Sequence, residues 1–388
     1  MARKQKNDID YSAAVKLYKS LNCPDTTLDI LGEVLPYESA WNIILSIRAR
    51  GKTTNMLLWG MCLNWCYGVQ IQYIRQREYQ ITPKQCGSLF DVIRQYHYIE
   101  KITNGRYNSV YYRGHKWVYQ NIDDEGNLVE RAETPFCCTL SIDKHNDYKS
   151  VYNAPLGDII IVDEFLTTTG YLDDEFYQLN DLLSTIIRER DTAHIYLLGN
   201  LVDEFSPYFD ELCLNDVIHD MTYGEHKKLK SDGTTMHVCM MPQITHIQRE
   251  KINNKYFSWL NPKINAITGK RGLWAVRQFP KPPKGKYTLF NRHYYFKNDK
   301  YLCCELRRDD QTGIYYLFMY IDDYGYDQEK HILYTITSSV GYSRMIRHAL
   351  GYNSMYDKLI KQLINAHRDF YKDNTAGALF ESYLRDIP

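Results

Sequence analysis

The segment Ser46-Ile-Arg-Ala-Arg-Gly-Lys-Thr-Thr54 constrains the fold of this chain more than any other segment. The apolar run at 41–45 precedes it and predicts a strand, whereas the apolar residues at 55–66 predict a helix. A turn between a strand and a helix directs consecutive backbone N–H groups and a helix N-terminus at one point, where a phosphate binds. The sequence therefore predicts a nucleotide-binding turn on a parallel α/β sheet.

The side chains of this segment match the phosphate-loop pattern G-x-x-x-x-G-K-[ST] at every fixed position but the first, where Ser46 replaces glycine. Gly51 allows close approach of the backbone, Lys52 is expected to reach the β and γ oxygens, and Thr53 is expected to bind magnesium. A basic surface turn is the alternative for this segment taken alone. The predicted nucleotide-binding residues are Ser46, Arg48, Arg50, Gly51, Lys52, Thr53 and Thr54.

A second segment lies about 110 residues farther along, where Asp158-Ile-Ile-Ile-Val-Asp163 precedes Glu164. Apolar, β-branched residues that end in two carboxylates are typical of a buried parallel strand whose C-terminal end faces a ligand. Asp163 is expected to hold magnesium and Glu164 to activate the attacking water as a general base. An exposed acidic pair in a loop is the alternative, which the order and spacing of the two motifs disfavour.

A third segment predicts the residue that senses the γ-phosphate. The short apolar run 194–198 ends in Gly199-Asn200, and a polar side chain at such a strand end can position water. Arg188 and Arg190 precede this strand. In a ring of subunits these arginines would reach a neighbour's nucleotide, whereas local capping or ion pairing is the alternative.

These motifs carry a resemblance to a known family. The sequence resembles the DNA-packaging ATPase, or encapsidation protein, of small podophages with protein-primed linear genomes (Picovirinae type), and more distantly the ATPase of the terminase large subunit. The resemblance is strongest over residues 38–210. The stretches that carry it are 41–53, 73–77, 113–119, 161–165, 187–190 and 198–202.

The resemblance implies a fold and a set of residue roles. The implied fold is an α/β P-loop NTPase of the additional-strand, terminase-like class, with a parallel sheet, followed by a smaller α+β domain with a degenerate RNase H-like nuclease fold. The implied cofactors are ATP and Mg²⁺. The implied roles are nucleotide ligands at Lys52 and Thr53, magnesium ligands at Thr53 and Asp163, the base at Glu164, the sensor at Asn200, the trans-acting arginine at Arg188 and a loop arginine at Arg48.

The resemblance also implies partners and a location. The family works as a homo-pentameric ring at the portal vertex of an empty capsid and drives double-stranded DNA inward. For this chain it therefore implies double-stranded DNA, further copies of the chain and the prohead portal vertex, reached through a structural RNA, as partners. It places the protein in the host cytoplasm, transiently attached to the prohead, absent from the mature virion and without a membrane span.

Composition limits how this chain can bind DNA. Lys and Arg total 47 and Asp and Glu total 47, so the formal charge is zero and a basic footprint over the whole protein is missing. Phosphate contacts must therefore be local. Solvated charged faces are the alternative for each cluster. The candidate DNA-binding residues are Arg75, Arg77, Lys84 and Lys116, with further candidates at Arg113, His115 and the predicted loop 226–230.

The cysteines and the absence of long apolar runs predict a reduced, cytosolic protein. None of the 10 cysteines forms a C-x-x-C pair matched to a histidine pair, so neither zinc nor a disulfide framework is indicated. The N-terminus is charged, and no run approaches the roughly 20 apolar residues that a membrane span needs.

Length and patterning predict two domains. We expect an ATPase domain at 1–243 with a helical N-terminal extension over 9–21, a helical linker at 244–262, and a docking and nucleic-acid-binding domain at 263–388. The ATPase domain should add strands at 69–73 and 236–241 and a hairpin region at 107–142, and the C-terminal domain should end with a helix near 356–371.

Several functions remain open beside a DNA translocase. A terminase would have an active C-terminal nuclease, for which Asp322 and Asp323 are candidate ligands, although no convincing set of three carboxylates is present. A nucleotide kinase would not need the glutamate beside Asp163. A non-catalytic ring scaffold would use nucleotide only to hold its subunits together and would tolerate loss of Glu164.

Overall fold

The structure is a computed structural model that divides into two compact units. Among the described residues, the first unit holds those up to 167, 172–201 and 220–242, and the second holds 170–171, 206–219 and those from 279 onward. The described residues are 11–48, 50–149, 159–167, 170–188, 192–201, 206–231, 233–242, 279–297, 300–322, 326–327, 329–336, 346–348 and 354–385.

Ten strands of the described chain form the sheet of the first unit. They are β1 (Trp41–Ser46), β2 (Ile71–Arg75), β3 (Ser109–Arg113), β4 (Lys116–Ile122), β5 (Leu128–Arg131), β6 (Cys137–Ser141), β7 (Ile159–Asp163), β8 (His194–Asn200), β9 (His226–Ser231) and β10 (Thr234–Met240). Their order is β3-β4-β6-β2-β7-β8-β1-β10-β9, and β5 pairs with β4. The six strands from β6 to β10 in this order run parallel, and antiparallel strands complete both edges.

The strand order confirms the additional-strand class. The strand before the phosphate loop, β1, is separated from the strand with the two carboxylates, β7, by β8. Every residue of β7 is buried, as expected for a β-branched strand that is covered on both faces of a parallel sheet.

Helices cover this sheet and include the predicted helix after the loop. The helices of the first unit are α1 (Ser12–Ser20), α2 (Lys52–Tyr67), α3 (Pro83–Leu89), α4 (Asp91–Gln95), α5 (Tyr98–Ile102) and α6 (Glu175–Ile187). Two further helices, α7 (Pro207–Glu211) and α8 (Asn215–Asp220), lie mostly among residues of the second unit. Single-turn segments occupy Ile30–Val34, Leu35–Tyr37, Glu78–Ile81 and Ile142–Tyr148.

The N-terminal helix packs directly on the helix that follows the phosphate loop. Tyr11 and Tyr18 contact the ring of Trp59 edge-on, with centroids 6.0 and 5.9 Å away. The Tyr18 hydroxyl also donates to Asn55 Oδ1 at 2.7 Å. The predicted extension over 9–21 thus becomes α1, which belongs to the core of the first unit.

The second unit has its own sheet of six described strands. They are β11 (Tyr287–Lys297), β12 (Lys300–Asp309), β13 (Tyr315–Ile321), β14 (Ile332–Thr335), β15 (Ile346–His348) and β16 (Asp369–Tyr371). The order is β15-β14-β11-β12-β13-β16. Strands β11 to β13 form an antiparallel meander, while β14, β15 and β16 each run parallel to a neighbour. The order and direction of β11 to β15 agree with the RNase H-like fold that we expected.

Two helices, α9 (Met355–Asn365) and α10 (Asn374–Arg385), pack on one face of this second sheet. Their buried residues Ile360, Phe380 and Tyr383 join Leu317 and Met319 of β13 in one apolar cluster. The second unit therefore contains a hydrophobic core of its own.

Two sequence-based boundaries were wrong in detail. The basic segment 226–230 is the edge strand β9 and not a loop, because it pairs with β10. The helix expected near 356–371 ends at Asn365, and Asp369–Tyr371 forms β16 beside β13. Edge strands rich in lysine resist pairing with other chains, and this composition made the strand resemble a loop.

Three expectations lie outside the described residues, namely the helical linker 244–262, Arg190 and Asp323. None of the described helices has the length and hydropathy required to cross a bilayer.

Gly199 on β8 offers a test of the packing beneath the site. A Cβ atom at this position would lie 2.7 Å from Phe165 and 3.0 Å from both Leu45 and Leu166. We expect Gly199→Ala to reduce the free energy of unfolding by about 1–3 kcal/mol through overpacking, measured by urea denaturation.

Gly87 provides the matched control, because nothing lies within 4 Å of a Cβ there and the residue is inside α3. Gly87→Ala should stabilise the protein by about 0.5–1 kcal/mol. An unchanged or raised midpoint for Gly199→Ala would contradict the packing seen around β8.

Candidate nucleotide-binding site

Four neighbouring parallel strands end at one edge of the first sheet and bring the candidate residues together. Ser46 ends β1 and pairs in register with Asn200, which ends β8. Asp163 ends β7, and Arg75 ends β2 on the far side of β7. Because the C-terminal ends of parallel strands form one ligand-facing edge, these side chains meet although they are far apart in sequence.

The phosphate loop has the backbone that its sequence requires. Gly51 adopts the left-handed conformation (φ 59°) immediately before α2. A Cβ atom there would lie 2.8 Å from Thr27 and 3.0 Å from Asn55, so the position requires glycine for both its conformation and its surroundings. Asn55 Nδ2 donates to the Gly51 carbonyl at 3.0 Å and fixes the turn.

Lys52 is buried inside the loop and bonded to the ends of two strands. Its Nζ donates to Ser46 Oγ at 2.6 Å and to Asn200 Oδ1 at 3.0 Å. Burial lowers the pKa of its ammonium to about 8, although the nearby Asp163 carboxylate favours the charged form. Ser46 therefore takes part in the site as a hydroxyl acceptor at the position where the usual motif has glycine.

Thr53 and Asp163 form an oxygen-rich pair that fits magnesium. Thr53 Oγ1 donates to Asp163 Oδ1 at 2.8 Å, and the Asp163 carboxylate is almost fully buried. Hydroxyl and carboxylate oxygens are the ligands that Mg²⁺ prefers, with water and phosphate oxygens completing its shell. These two residues would hold the ion.

Arg75, which was predicted to bind DNA, joins the two carboxylates of the site. Its guanidinium lies 3.2 Å from Asp163 Oδ2 and 2.5 Å from Glu164 Oε2. Glu164 is half exposed and its backbone is left-handed (φ 55°), a conformation that is uncommon for glutamate. Because β2 lies next to β7, Arg75 faces the acid pair.

Tyr73 is the site residue that sequence reasoning missed. Its hydroxyl donates to Asp163 Oδ2 at 2.7 Å. Tyr73 lies two residues before Arg75 on β2, so both side chains point to the same face of the sheet. The signal in the sequence was this i, i+2 spacing, which becomes informative only when β2 is known to pair with β7.

Arg50 contacts backbone carbonyls. Its Nε donates to the carbonyl of Thr26 at 2.8 Å, and Nη1 donates to the carbonyl of Pro242 at 2.6 Å. The side chain is buried, so these bonds favour a structural role for Arg50 over the predicted contact with nucleotide. It connects the phosphate loop to the segment between α1 and β1 and to the residues just after β10.

The remaining predicted residues lie near the surface. Arg48 is exposed beside the loop and Thr54 is half-buried in the first turn of α2. Arg188 follows the last residue of α6, is exposed, and has a positive φ of 52°. Of the DNA-binding candidates, Lys84 and Lys116 are exposed and Arg77 is half-buried.

Two solved structures resemble this chain over nearly its whole length. A chain of the bacteriophage Phi-29 viral genome packaging motor assembly superimposes with a TM-score of 0.55 at 15% sequence identity, covering 94% of this chain and 100% of that chain. The chain has the fold of a phage packaging motor protein. The Phi-28 gp11 DNA packaging motor gives a TM-score of 0.50 at 16% identity, covering 91% of this chain and 96% of that chain.

Sequence comparison alone does not detect this likeness. No protein-family model matches the chain, and no curated protein sequence is similar to it. The family resemblance that was inferred from the motifs agrees with the fold of the packaging motor proteins. The proposed roles of individual residues are argued from the geometry described above.

The lowered pKa of Lys52 gives a prediction about pH. ATP phosphates bind the ammonium form and raise its pKa, so binding above pH 8 requires proton uptake. The apparent Kd for ATP should rise up to about tenfold per pH unit above pH 8, measured by calorimetry between pH 7 and 9.5. Repeating the titration in two buffers of different ionisation enthalpy should reveal uptake of one proton near pH 9. A constant Kd over this range would show that Lys52 does not titrate.

Proposed function

We propose that this protein is the ATPase of a motor that drives double-stranded DNA into a phage prohead. The observation that carries the proposal is the set of strand ends at one sheet edge, with Lys52 on Asn200 and Thr53 on Asp163. The likeness to the packaging motor proteins, which extends through both units, supports the same function. ATP and Mg²⁺ are the proposed cofactors.

In this proposal, nucleotide replaces contacts that the protein makes with itself. Lys52 leaves Ser46 and Asn200 and binds the β and γ oxygens, while Asn200 becomes free to orient the attacking water. Magnesium, when bound, neutralises charge on the phosphates. Thr53 and Asp163 would hold the ion. Arg75 would then no longer be the cation beside Asp163 and could separate from Glu164.

The release of Glu164 from Arg75 is the step that would start hydrolysis. A carboxylate oxygen that is hydrogen-bonded to a guanidinium is not free to accept the proton of the attacking water. Once separated from Arg75, Glu164 can accept the proton of the attacking water. Its half-exposed position at the sheet edge leaves it access to that water.

DNA is proposed to bind through phosphate contacts on small basic surfaces. The tight turn between β3 and β4 supports this, because Arg113 and Lys116 pair across it and His115 lies at its tip, with all three exposed. Lys84 and Arg77 are further candidates. A motor that moves along any sequence needs contacts to the backbone and not to the bases.

The assembly is proposed to be a homo-oligomeric ring, with a pentamer as the expected size, docked at the portal vertex through a structural RNA. The proposed domains are an ATPase domain at 1–243, a linker at 244–262 and a docking and nucleic-acid-binding domain at 263–388. The protein would act in the host cytoplasm, attached to the prohead only while DNA enters.

A terminase with an active nuclease is the main alternative. Among the described residues, no group of three or more His, Cys, Asp or Glu side chains could hold a metal ion. Asp322 accepts a hydrogen bond from the Tyr294 hydroxyl at 3.0 Å, which makes it a structural partner. Cleavage of plasmid DNA that is lost in Asp322→Asn would favour the terminase.

ATP turnover with and without DNA tests the proposal. Lys52→Ala should abolish nucleotide binding, because Lys52 contacts ground-state phosphates, whereas Glu164→Gln should bind ATP and lose about 10²–10⁴-fold in turnover. Lys358→Ala, on the exposed side of α9, is the control and should match the parent in both assays. Near-parental turnover by Glu164→Gln would instead move the base elsewhere, and a ring that works equally well without Glu164 or hydrolysis would favour the scaffold. Turnover that DNA does not stimulate would argue against a translocase.

The proposed trans action of Arg188 is tested by mixing two inactive variants. Arg188→Ala subunits keep their own base, and Glu164→Gln subunits keep their arginine, so a mixed ring should regain part of the hydrolysis at mixed interfaces. An arginine finger contributes about 10³–10⁵ in turnover, which makes partial recovery measurable. Mixtures that co-assemble by size analysis yet stay inactive would place the action of Arg188 within its own subunit.

A further inference from the structure

We propose that Tyr73 is a positioning residue of the metal site, which holds the Asp163 carboxylate in the orientation that magnesium requires. The proposal rests on the nucleotide site described above and adds the residue that keeps its acidic ligand in place. Tyr73 would act through Asp163 and touch neither nucleotide nor metal.

The two oxygens of the Asp163 carboxylate have different partners. Oδ1 accepts the hydroxyl of Thr53 at 2.8 Å. Oδ2 accepts Tyr73 OH at 2.7 Å and Arg75 Nη1 at 3.2 Å. Oδ1 therefore faces the loop and the metal position, while Oδ2 faces β2. A bond to Oδ2 fixes the rotation of the carboxylate about its last torsion, which is otherwise broad.

Tyr73 is buried, whereas the two other described side-chain donors to this carboxylate, Thr53 and Arg75, are only partly buried. It lies in the middle of the sheet, where β2 pairs with both β6 and β7, and only 4% of it is exposed. Trp117 packs against its ring edge-on with centroids 5.8 Å apart. A phenol hydroxyl beside a carboxylate donates its proton to that carboxylate, and Tyr73 does so to Asp163 Oδ2.

Arg75 binds the same oxygen but has a different physical role. Its side chain is partly exposed, carries a positive charge and is shared with Glu164. A cation on Oδ2 opposes the approach of Mg²⁺ to Oδ1 by Coulomb repulsion, whereas a neutral hydroxyl does not. Loading the site should therefore displace Arg75 and leave Tyr73 bound.

This difference predicts opposite effects for the two residues. Partners that hydrogen-bond a metal-ligating carboxylate typically change metal affinity by about 10–100-fold when they are removed. Tyr73→Phe, which removes only the hydroxyl, should weaken Mg²⁺ binding by about this factor. Arg75→Gln, which removes the competing charge, should strengthen Mg²⁺ binding.

The test is Mg²⁺ affinity of the full-length protein with a bound fluorescent ATP analogue. The analogue is first bound in EDTA, and Mg²⁺ is then titrated. Mn²⁺ binding followed by electron paramagnetic resonance gives a second readout that needs no turnover. Tyr196→Phe is the matched control, because Tyr196 is also fully buried and donates to a carboxylate, Glu38, away from the site.

In EDTA, the parent, Tyr73→Phe and Tyr196→Phe should bind the analogue with equal affinity. Only Tyr73→Phe should bind Mg²⁺ and Mn²⁺ more weakly than the parent. In an Asp163→Asn background, Tyr73→Phe should cause no further loss, because it acts through that carboxylate. Equal losses of Mg²⁺ affinity in both backgrounds, or equal losses in both tyrosine variants, would overturn the proposal.

Failure of the proposed function would look different. If the parent protein binds no ATP analogue, the proposed nucleotide site is wrong. If the parent binds Mg²⁺ and the analogue but Tyr73→Phe has the same Mg²⁺ affinity as Tyr196→Phe, only the proposed role of Tyr73 is wrong. Thermal unfolding of both tyrosine variants should show similar shifts, because each loses one buried bond from a phenol to a carboxylate.

Discussion

The parallel register of four strands is the constraint on which the site depends. Ser46 lies opposite Asn200 because β1 and β8 pair in that register, and β7 lies between β8 and β2. A slip of one residue would turn the side chains of a strand to the opposite face of the sheet. A slip of β7 would also move Asp163 away from Thr53, Tyr73 and Arg75, with which its carboxylate is bonded. The chemistry of the site is thus fixed by the packing of the sheet.

A buried charged site also needs partners when it holds no nucleotide. The ammonium of Lys52 is satisfied by Ser46 and Asn200, and the carboxylate of Asp163 by Thr53, Tyr73 and Arg75. Leaving any of these charges unpaired in the interior would cost several kcal/mol. Internal bonds therefore keep the site folded, and bonds of similar number and geometry are available to phosphates and magnesium.

Sequence reasoning succeeded where neighbouring residues of a motif determine the local structure by themselves. The loop around Gly51 and the strand ending in Asp163 are local patterns, and the structure has them as predicted. The contacts of Arg75 were not evident from the sequence, because they depend on which strand lies beside β2. The contacts of Arg50 were hidden for a related reason, since the sequence does not show that Thr26 and Pro242 lie against the loop.

The left-handed backbone of Glu164 has a consequence for the stability of the whole protein. Non-glycine residues in this conformation cost about 1–3 kcal/mol, and asparagine and glycine tolerate it better than glutamate. The proposed general base thus occupies a position whose backbone conformation favours glycine or asparagine. A selection for thermal stability alone would drive this position away from glutamate, and under the proposed role of Glu164 as the base, its most stable products would bind ATP without hydrolysing it.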